Sequence, residues 1–438
     1  MIKSETLENQ TSLLKSKVIW FLVIIDLYAI VTACLPGIYP LASIIGLISL
    51  FLLYFIPEIG PALFLGGGFL FAFFLGANPA ITILILFITL FGAILYFLRR
   101  EEDYKGIHND YSVYFLILFT AVIVAGFFYT TNKVYASSKV YRYVVYNIVA
   151  FLIPILYFKD MGKIRRILDI IWYFNALLIL ISLYVIFVGG ADLSIRFDLM
   201  GRVNPIWIAR ALGMGILISI DWFYRYKSRW IHFLLLLYIG LGVWIIILSG
   251  SRGPMLGTLA GIMIYIMYIK ERTFWKRFGY ILASLLLLGM IVLILPKDML
   301  FNKFGSIRAS LSVLQRFALW EEAIKQIIEN PVLGRGTGGY QIFSAYFGKY
   351  PHNIFLEAGA EQGIPAMIIL SVFLLRPLSL IPSLLKTHKR QIAVLFFAFW
   401  TNYMINAMVS GDITSNYLVW FFISSLIVLK QSIPLESV

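Results

Sequence analysis

The residues best suited to chemistry stand where an apolar chain turns polar. Pro351-His352-Asn353 precedes a long apolar run, so His352 sits at the mouth of a helix. An imidazole there is tunable towards neutrality, which suits a general base. Glu357 and Glu361 follow one helical turn apart, in or near the apolar layer. Ionisable groups at such depth are costly and by default functional; structural pairing with loop arginines is the competing reading. Ser249-Gly250-Ser251-Arg252-Gly253-Pro254 lies between two apolar runs. Pro254 suits the first turn of a helix, so Arg252 adds a fixed cation to a positive helix end, a geometry that favours phosphate. Arg202 precedes Asn204-Pro205, and Arg210 falls about 8 Å into the next apolar run at ~1.5 Å per residue. No carboxylate stands one turn from Arg210 on its own helix. A partner helix or a bound phosphate must therefore supply its anion.

Segment 296–352 is the one long stretch outside the apolar runs. It carries Lys297, Lys303, Arg308, Arg316, Lys325, Arg335 and Lys349 against Asp298, Glu321, Glu322 and Glu329. From Ser312 to Asn330, Val313, Phe317, Trp320, Ile324, Ile327 and Ile328 recur at helical spacing. The spacing predicts an amphipathic helix over 312–330, ended by Asn330-Pro331, with Arg316 and Trp320 on one face. Glu321 and Lys325 form an i,i+4 pair on it. Pro331-Val332-Leu333-Gly334-Arg335-Gly336-Thr337-Gly338-Gly339 follows, and its glycines allow positive φ and amides that could line an anion site. The Gly-Lys-Ser/Thr ending of a nucleotide-binding loop is missing from it.

The elements that must position these residues follow from composition. Of 438 residues, 61% are hydrophobic and only 13% charged, where a soluble chain carries roughly 25% charged. A water-soluble enzyme is excluded, and an all-α polytopic membrane bundle remains. The single Cys34 removes disulfide, iron–sulfur and cysteine–zinc frameworks, and four scattered histidines do not suggest a metal cage. Apolar windows predict about 12–14 spans, near 18–35, 41–56, 61–75, 80–97, 112–130, 142–157, 167–188, 205–222, 231–248, 253–269, 279–295, 353–374, 391–409 and 414–429. With both termini cytoplasmic, 22 of the 36 Lys and Arg residues fall on the inner side. Much of the net charge of +14 is thus a topology signal, and nucleic acid is not needed to explain it. Residues 1–438 read as a single membrane domain, with 296–352 an extracytoplasmic loop between the spans 279–295 and 353–374. A net basic outer loop has no cause in that rule, but an anionic partner would supply one.

In order, Ser251-Arg252-Gly253, Arg316 with Trp320, Pro331…Gly334-x-Gly336, His352-Asn353 and Glu361-x-Gly363 resemble the O-antigen ligase/O-antigen polymerase superfamily. The likeness is strongest over about 249–365, with weaker support from Arg202-Val203-Asn204-Pro205 and Gly411-Asp412. It implies a helical bundle of about a dozen spans with a large periplasmic loop. It also implies transfer of sugars from undecaprenyl-diphosphate carriers on the outer face of the bacterial inner membrane. Arg252 and Arg316 would hold the donor diphosphate, with Arg210 and Arg202 on the same side, and His352 would be essential to transfer. Asp412 resembles a functionally important acidic residue of ligases, and Arg335, at a variable position, would have a supporting role.

The chemistry is consistent with that resemblance. A departing diphosphate needs its developing charge stabilised, and arginine clamps phosphate with paired, permanently charged donors. The Asp-x-Asp motif with which many glycosyltransferases hold a metal is missing, so metal-independent, inverting, cofactor-free transfer is expected. The acceptor is expected to be lipid A–core for a ligase, or a second lipid-linked unit for a polymerase. A lipid-linked oligosaccharide transporter or flippase is the alternative of another class, for which Asp26 and Arg210 would be the most comfortable residues. Convergence of Arg252, Arg316 and His352 at one outer cavity, against a central channel, separates transfer from transport.

Overall fold

The computed structural model describes residues 56–69, 73, 89, 110–158, 161–190, 192, 196–269, 307–343 and 350–431. Outside them lie the expected spans near 18–35 and 279–295 and nearly all of those near 41–56 and 80–97. Asp26, Cys34, Lys297, Asp298, Lys303 and Lys349 lie outside them too. Among the described residues the chain is helical, with no strand. It is a multi-pass membrane protein, with six helices there long and apolar enough to cross a bilayer.

Helix α1 (Ile59–Ala62) runs on as a π-helical turn, Leu63–Gly67. Helix α2 (Tyr111–Tyr129) turns into α3 (Lys133–Arg142), which continues through a π-helical stretch, Tyr143–Ile148, into α4 (Val149–Tyr157). Residues Lys133–Tyr157 thereby form one rod of membrane length. Next come α5 (Met161–Phe187), α6 (Pro205–Arg225), α7 (Arg229–Leu248) and α8 (Arg252–Tyr268). The amphipathic helix of the long loop is α9 (Ile307–Glu329), which begins ahead of the expected Ser312. A single turn, α10 (Tyr340–Phe343), precedes α11 (Ile354–Leu374), α12 (Arg376–Leu384) and α13 (Arg390–Ala407). A 3₁₀ turn, Thr414–Asn416, leads to α14 (Leu418–Gln431).

Local chemistry fixes the helix starts that matter to the site. The Asn204 side chain accepts from the Ile206 amide at 2.9 Å, with Pro205 as the first helical residue of α6. Asn353 does the same for α11, accepting from Phe355 and Leu356 at 3.0 and 3.2 Å. It thereby holds His352 just outside the helix mouth.

Helix α8 packs along α13 because its contact face is small. A methyl group on Gly257 would stand 2.5 Å from Asn402 Oδ1 and 2.6 Å from the Asn402 carbonyl; on Gly261 it would stand 2.9 Å from the Ala398 carbonyl. Small residues let backbones approach in lipid, where packing replaces the hydrophobic drive. The first turn of α8 is thereby brought against the end of α13, with Gly253 beside Val409. An aromatic core of Phe396, Phe421, Phe422 and Phe158 backs α13 and α14.

Helix α11 is broken at Gly363 (φ 86°, ψ 174°), two residues before Pro365. The 331–339 loop docks into that break: the Ile364 amide donates to the Pro331 carbonyl at 2.7 Å, and the Arg335 amide to the Ala360 carbonyl at 2.9 Å. Thr337 ties the same loop to α2 through the Ile123 carbonyl at 2.6 Å.

Candidate active site

His352 occupies a backbone conformation that few side chains adopt, with φ at 57°. Its ring meets Tyr350 edge to face at 4.7 Å. Nδ1 is buried and has no hydrogen-bond partner among the described residues. Burial, with the Arg316 charge beside it, pushes the imidazole down to about 4, against the opposing pull of Asp412. His352 is therefore a neutral imidazole at pH 7, with a cation on one flank and a carboxylate on the other.

The cationic flank is a group of arginines. Arg316, on α9, lies within electrostatic reach of Arg196 and Arg252, and burial together with those two like charges lowers its pKa. Arg196 is held by its Nε on the Ser249 carbonyl at 3.1 Å and by Nη2 on Ser251 Oγ at 3.2 Å. Its own pKa is lowered by burial. Neither Arg196 nor Arg316 has a carboxylate partner among the described residues. Ser251, the residue before α8, makes no side-chain cap, so the first turn beside Arg252 has no capping side chain on its amides. Such a group suits a dianion.

The carboxylate flank is built differently. Asp412 is 1% exposed and knots its own turn: the Ser415 amide donates to Oδ1 at 2.8 Å, and Thr414 Oγ1 reaches both oxygens at 3.0 Å. Arg142 Nη1 pairs with Oδ2 at 3.1 Å. Burial works to raise the pKa of Asp412, but Arg142, Lys139 and the Ser415 bonds outweigh it and hold the carboxyl below its ordinary value. Behind it Lys139, 2% exposed, binds Glu357 at 2.5 Å and Glu361 at 2.6 Å, both fully buried. Glu357 also accepts the Ile413 amide at 2.9 Å, which fixes the Asp412 turn to α11.

Several sequence expectations meet here and others part. Arg252 and Arg316 come together, and His352 stands between Arg316 and Asp412. Arg202 stays apart, exposed and donating to the Phe73 carbonyl at 2.8 Å. Arg335 pairs with Glu329 at 2.5 Å. Arg210 is buried and donates to the Ser410 carbonyl at 3.2 Å, and the groups nearest its charge are tyrosines, Tyr403, Tyr417 and Tyr350, rather than the arginine group. Glu357 and Glu361 are structural partners of a lysine rather than of loop arginines. The glycine loop turns one amide, Gly338 N, onto the Glu361 carboxylate at 2.9 Å, so the anion it holds is internal.

Sequence reasoning missed Lys139, Arg142 and Arg196. All three fall on the side expected to face outward, where the positive-inside rule gives no reason for cations; that signal could have exposed them.

The O-antigen ligase family model matches residues 235–371. Over that segment, about a third of its length, the chain is similar to the O-antigen ligase family. That match takes in Arg252, Arg316 and His352, the residues that gather at the arginine flank, together with Glu357 and Glu361. An uncharacterized protein of Haemophilus influenzae is 26% identical over 40% of this chain and 49% of its own length. The chain thus spans about half of the curated relative it matches.

Proposed function

We propose that this chain, similar to the O-antigen ligase family over residues 235–371, is a glycan transferase. It takes a glycan from an undecaprenyl-diphosphate carrier and passes it to a hydroxyl of lipid A–core, at the outer face of the bacterial inner membrane. Both termini are cytoplasmic. The observation that carries the reading is the neutral, half-buried His352, with Arg316 of the arginine group on one flank and the Asp412 carboxylate on the other.

His352 takes the proton of the acceptor hydroxyl, whose oxygen attacks the anomeric carbon. The bond from that carbon to the diphosphate oxygen breaks, and its electron pair leaves with the diphosphate. Arg252 and Arg316, with Arg196 beside them, stabilise the charge that develops there. One displacement inverts the anomeric centre, and the reaction runs without a metal or cofactor. A polymerase, with a second lipid-linked unit as acceptor, would use the same residues. Gathering of the arginines and His352 at one end of the bundle favours transfer over transport, which calls for a midplane site.

The test is reconstitution with undecaprenyl-diphosphate-linked glycan in metal-free buffer, with lipid A–core as acceptor. Wild-type protein should form a product of inverted configuration. His352→Ala should fold, insert and lose about 100-fold or more in rate, as expected for loss of a general base. A His352→Ala protein at the wild-type rate removes the base from this scheme.

A further inference from the structure

The molecule holds a second cation site that the arginine group leaves unused. Arg210 is 7% exposed, its Nε has no hydrogen-bond partner among the described residues, and no carboxylate pairs with it there. It stands in the wall of a surface groove. Phe64, Phe69, Trp207, Tyr403, Tyr417 and Leu418 make the groove aromatic and apolar. A desolvated guanidinium in such a wall is costly unless an anion meets it. An apolar trough ending on one fixed cation matches an amphiphile with a phosphate at its head.

The groove's place decides which amphiphile. Ser415 and Tyr417 line it, and Ser410, whose carbonyl holds Arg210, begins the same turn as Asp412. It therefore opens beside the turn that carries Asp412, and Arg196, Arg252 and Arg316 are not among the groups that act electrostatically on Arg210. In a single displacement the nucleophile approaches opposite the leaving group. With the departing diphosphate on the arginine group, the incoming hydroxyl must arrive from the Asp412 side.

We infer that the Arg210 groove is the acceptor site, and that it takes a membrane-anchored glycan whose lipid end bears a phosphate. The inference rests on the proposed transferase reading. It separates Arg210 from the donor, to which the family resemblance had joined it.

The experiment measures Michaelis constants for donor and acceptor in proteoliposomes. Three acceptors are compared: an undecaprenyl-diphosphate-linked repeat unit, lipid A–core, and the same repeat unit as a free oligosaccharide without lipid or phosphate. Arg210→Gln removes the charge, whereas Ala211→Phe leaves Arg210 in place and fills the groove it lines. Both should raise the KM of the lipid acceptor about tenfold or more, the loss expected for a buried charged hydrogen bond or a blocked site, with a smaller change in the donor's KM. The free oligosaccharide should be the poorest acceptor for wild type and insensitive to either substitution. Whichever lipid serves better names the source of the phosphate, and either result supports the site.

A free oligosaccharide that matches the lipid acceptors overturns the inference. So does a rise in the donor's KM alone, or an unmoved acceptor KM in both variants of an active enzyme. Wild-type protein that transfers to none of the three sinks the transferase reading first, and the acceptor site falls with it.

Discussion

The two ends of the bundle treat their cations in opposite ways. At one end three arginines have found acids: Arg376 meets Asp110 at 2.7 Å, Arg225 meets Asp169 at 2.9 Å and Arg166 meets Glu58 at 3.4 Å. At the other end Lys139 and Arg142 are paired, but Arg196, Arg210 and Arg316 have no carboxylate among the described residues. Pairing is what a buried charge needs to persist in a fold. Guanidinium groups that stay half-buried or deeper without it mark where a ligand brings the missing charge. Paired cations build this protein, and unpaired ones equip it.

That contrast can be broken at its strongest point first. Lys139→Met strands two buried carboxylates and should cost about 3–5 kcal/mol in stability, read as a large fall in thermal unfolding temperature in detergent. Adding Glu357→Gln and Glu361→Gln should recover most of the loss. If Lys139→Met alone is as stable as wild type, the triad is not a structural knot.

Next comes a cation of the unpaired kind. Arg316→Gln should lower transfer by about 100-fold or more, the usual loss for a transition-state charge donor, while leaving thermal stability unchanged or slightly higher. Stability lost in step with activity would place Arg316 with the builders instead.

The smallest effect sharpens the boundary between the two groups. Because His352 titrates near about 4, kcat/KM of wild type should fall on the acid side far below the ordinary 6.5. Residual activity of Arg316→Gln should show that acid limb displaced upward by about one pH unit, since the imidazolium no longer faces a like charge. Limbs at 6.5 in both proteins would show that His352 is not governed by its neighbours.

Much of this was readable before any coordinates. Helix α9 followed from the spacing of Val313, Phe317, Trp320, Ile324 and Ile327, because an amphipathic face is a local pattern. His352 at a helix mouth followed from Asn353, whose capping chemistry is also local. Lys139 was not readable. It sits in the polar run Lys133–Arg142, which breaks the hydropathy signal and resembles a loop between two spans. It joins the membrane rod because α11 supplies carboxylates from far along the chain. The separation of Arg210 from Arg252 and Arg316 was hidden for the same reason. Arg210 and Arg252 stand at the ends of spans and Arg316 on the loop helix α9, and only the packing of α6, α8, α9 and α13 decides which face each one meets.

The Lys139 triad also sets a timetable for making the protein. Lys139 and Glu361 are 222 residues apart, so at 5–20 residues per second the lysine leaves the ribosome roughly 10–45 s before its counter-ion. Through that interval a bare ammonium cannot rest in lipid. The rod that carries it must wait at the water boundary or against the insertion machinery, and it settles to its final depth only when α11 arrives. Early spans of this protein are thus finished by late ones, and a chain truncated before α11 should leave helix α3 unseated.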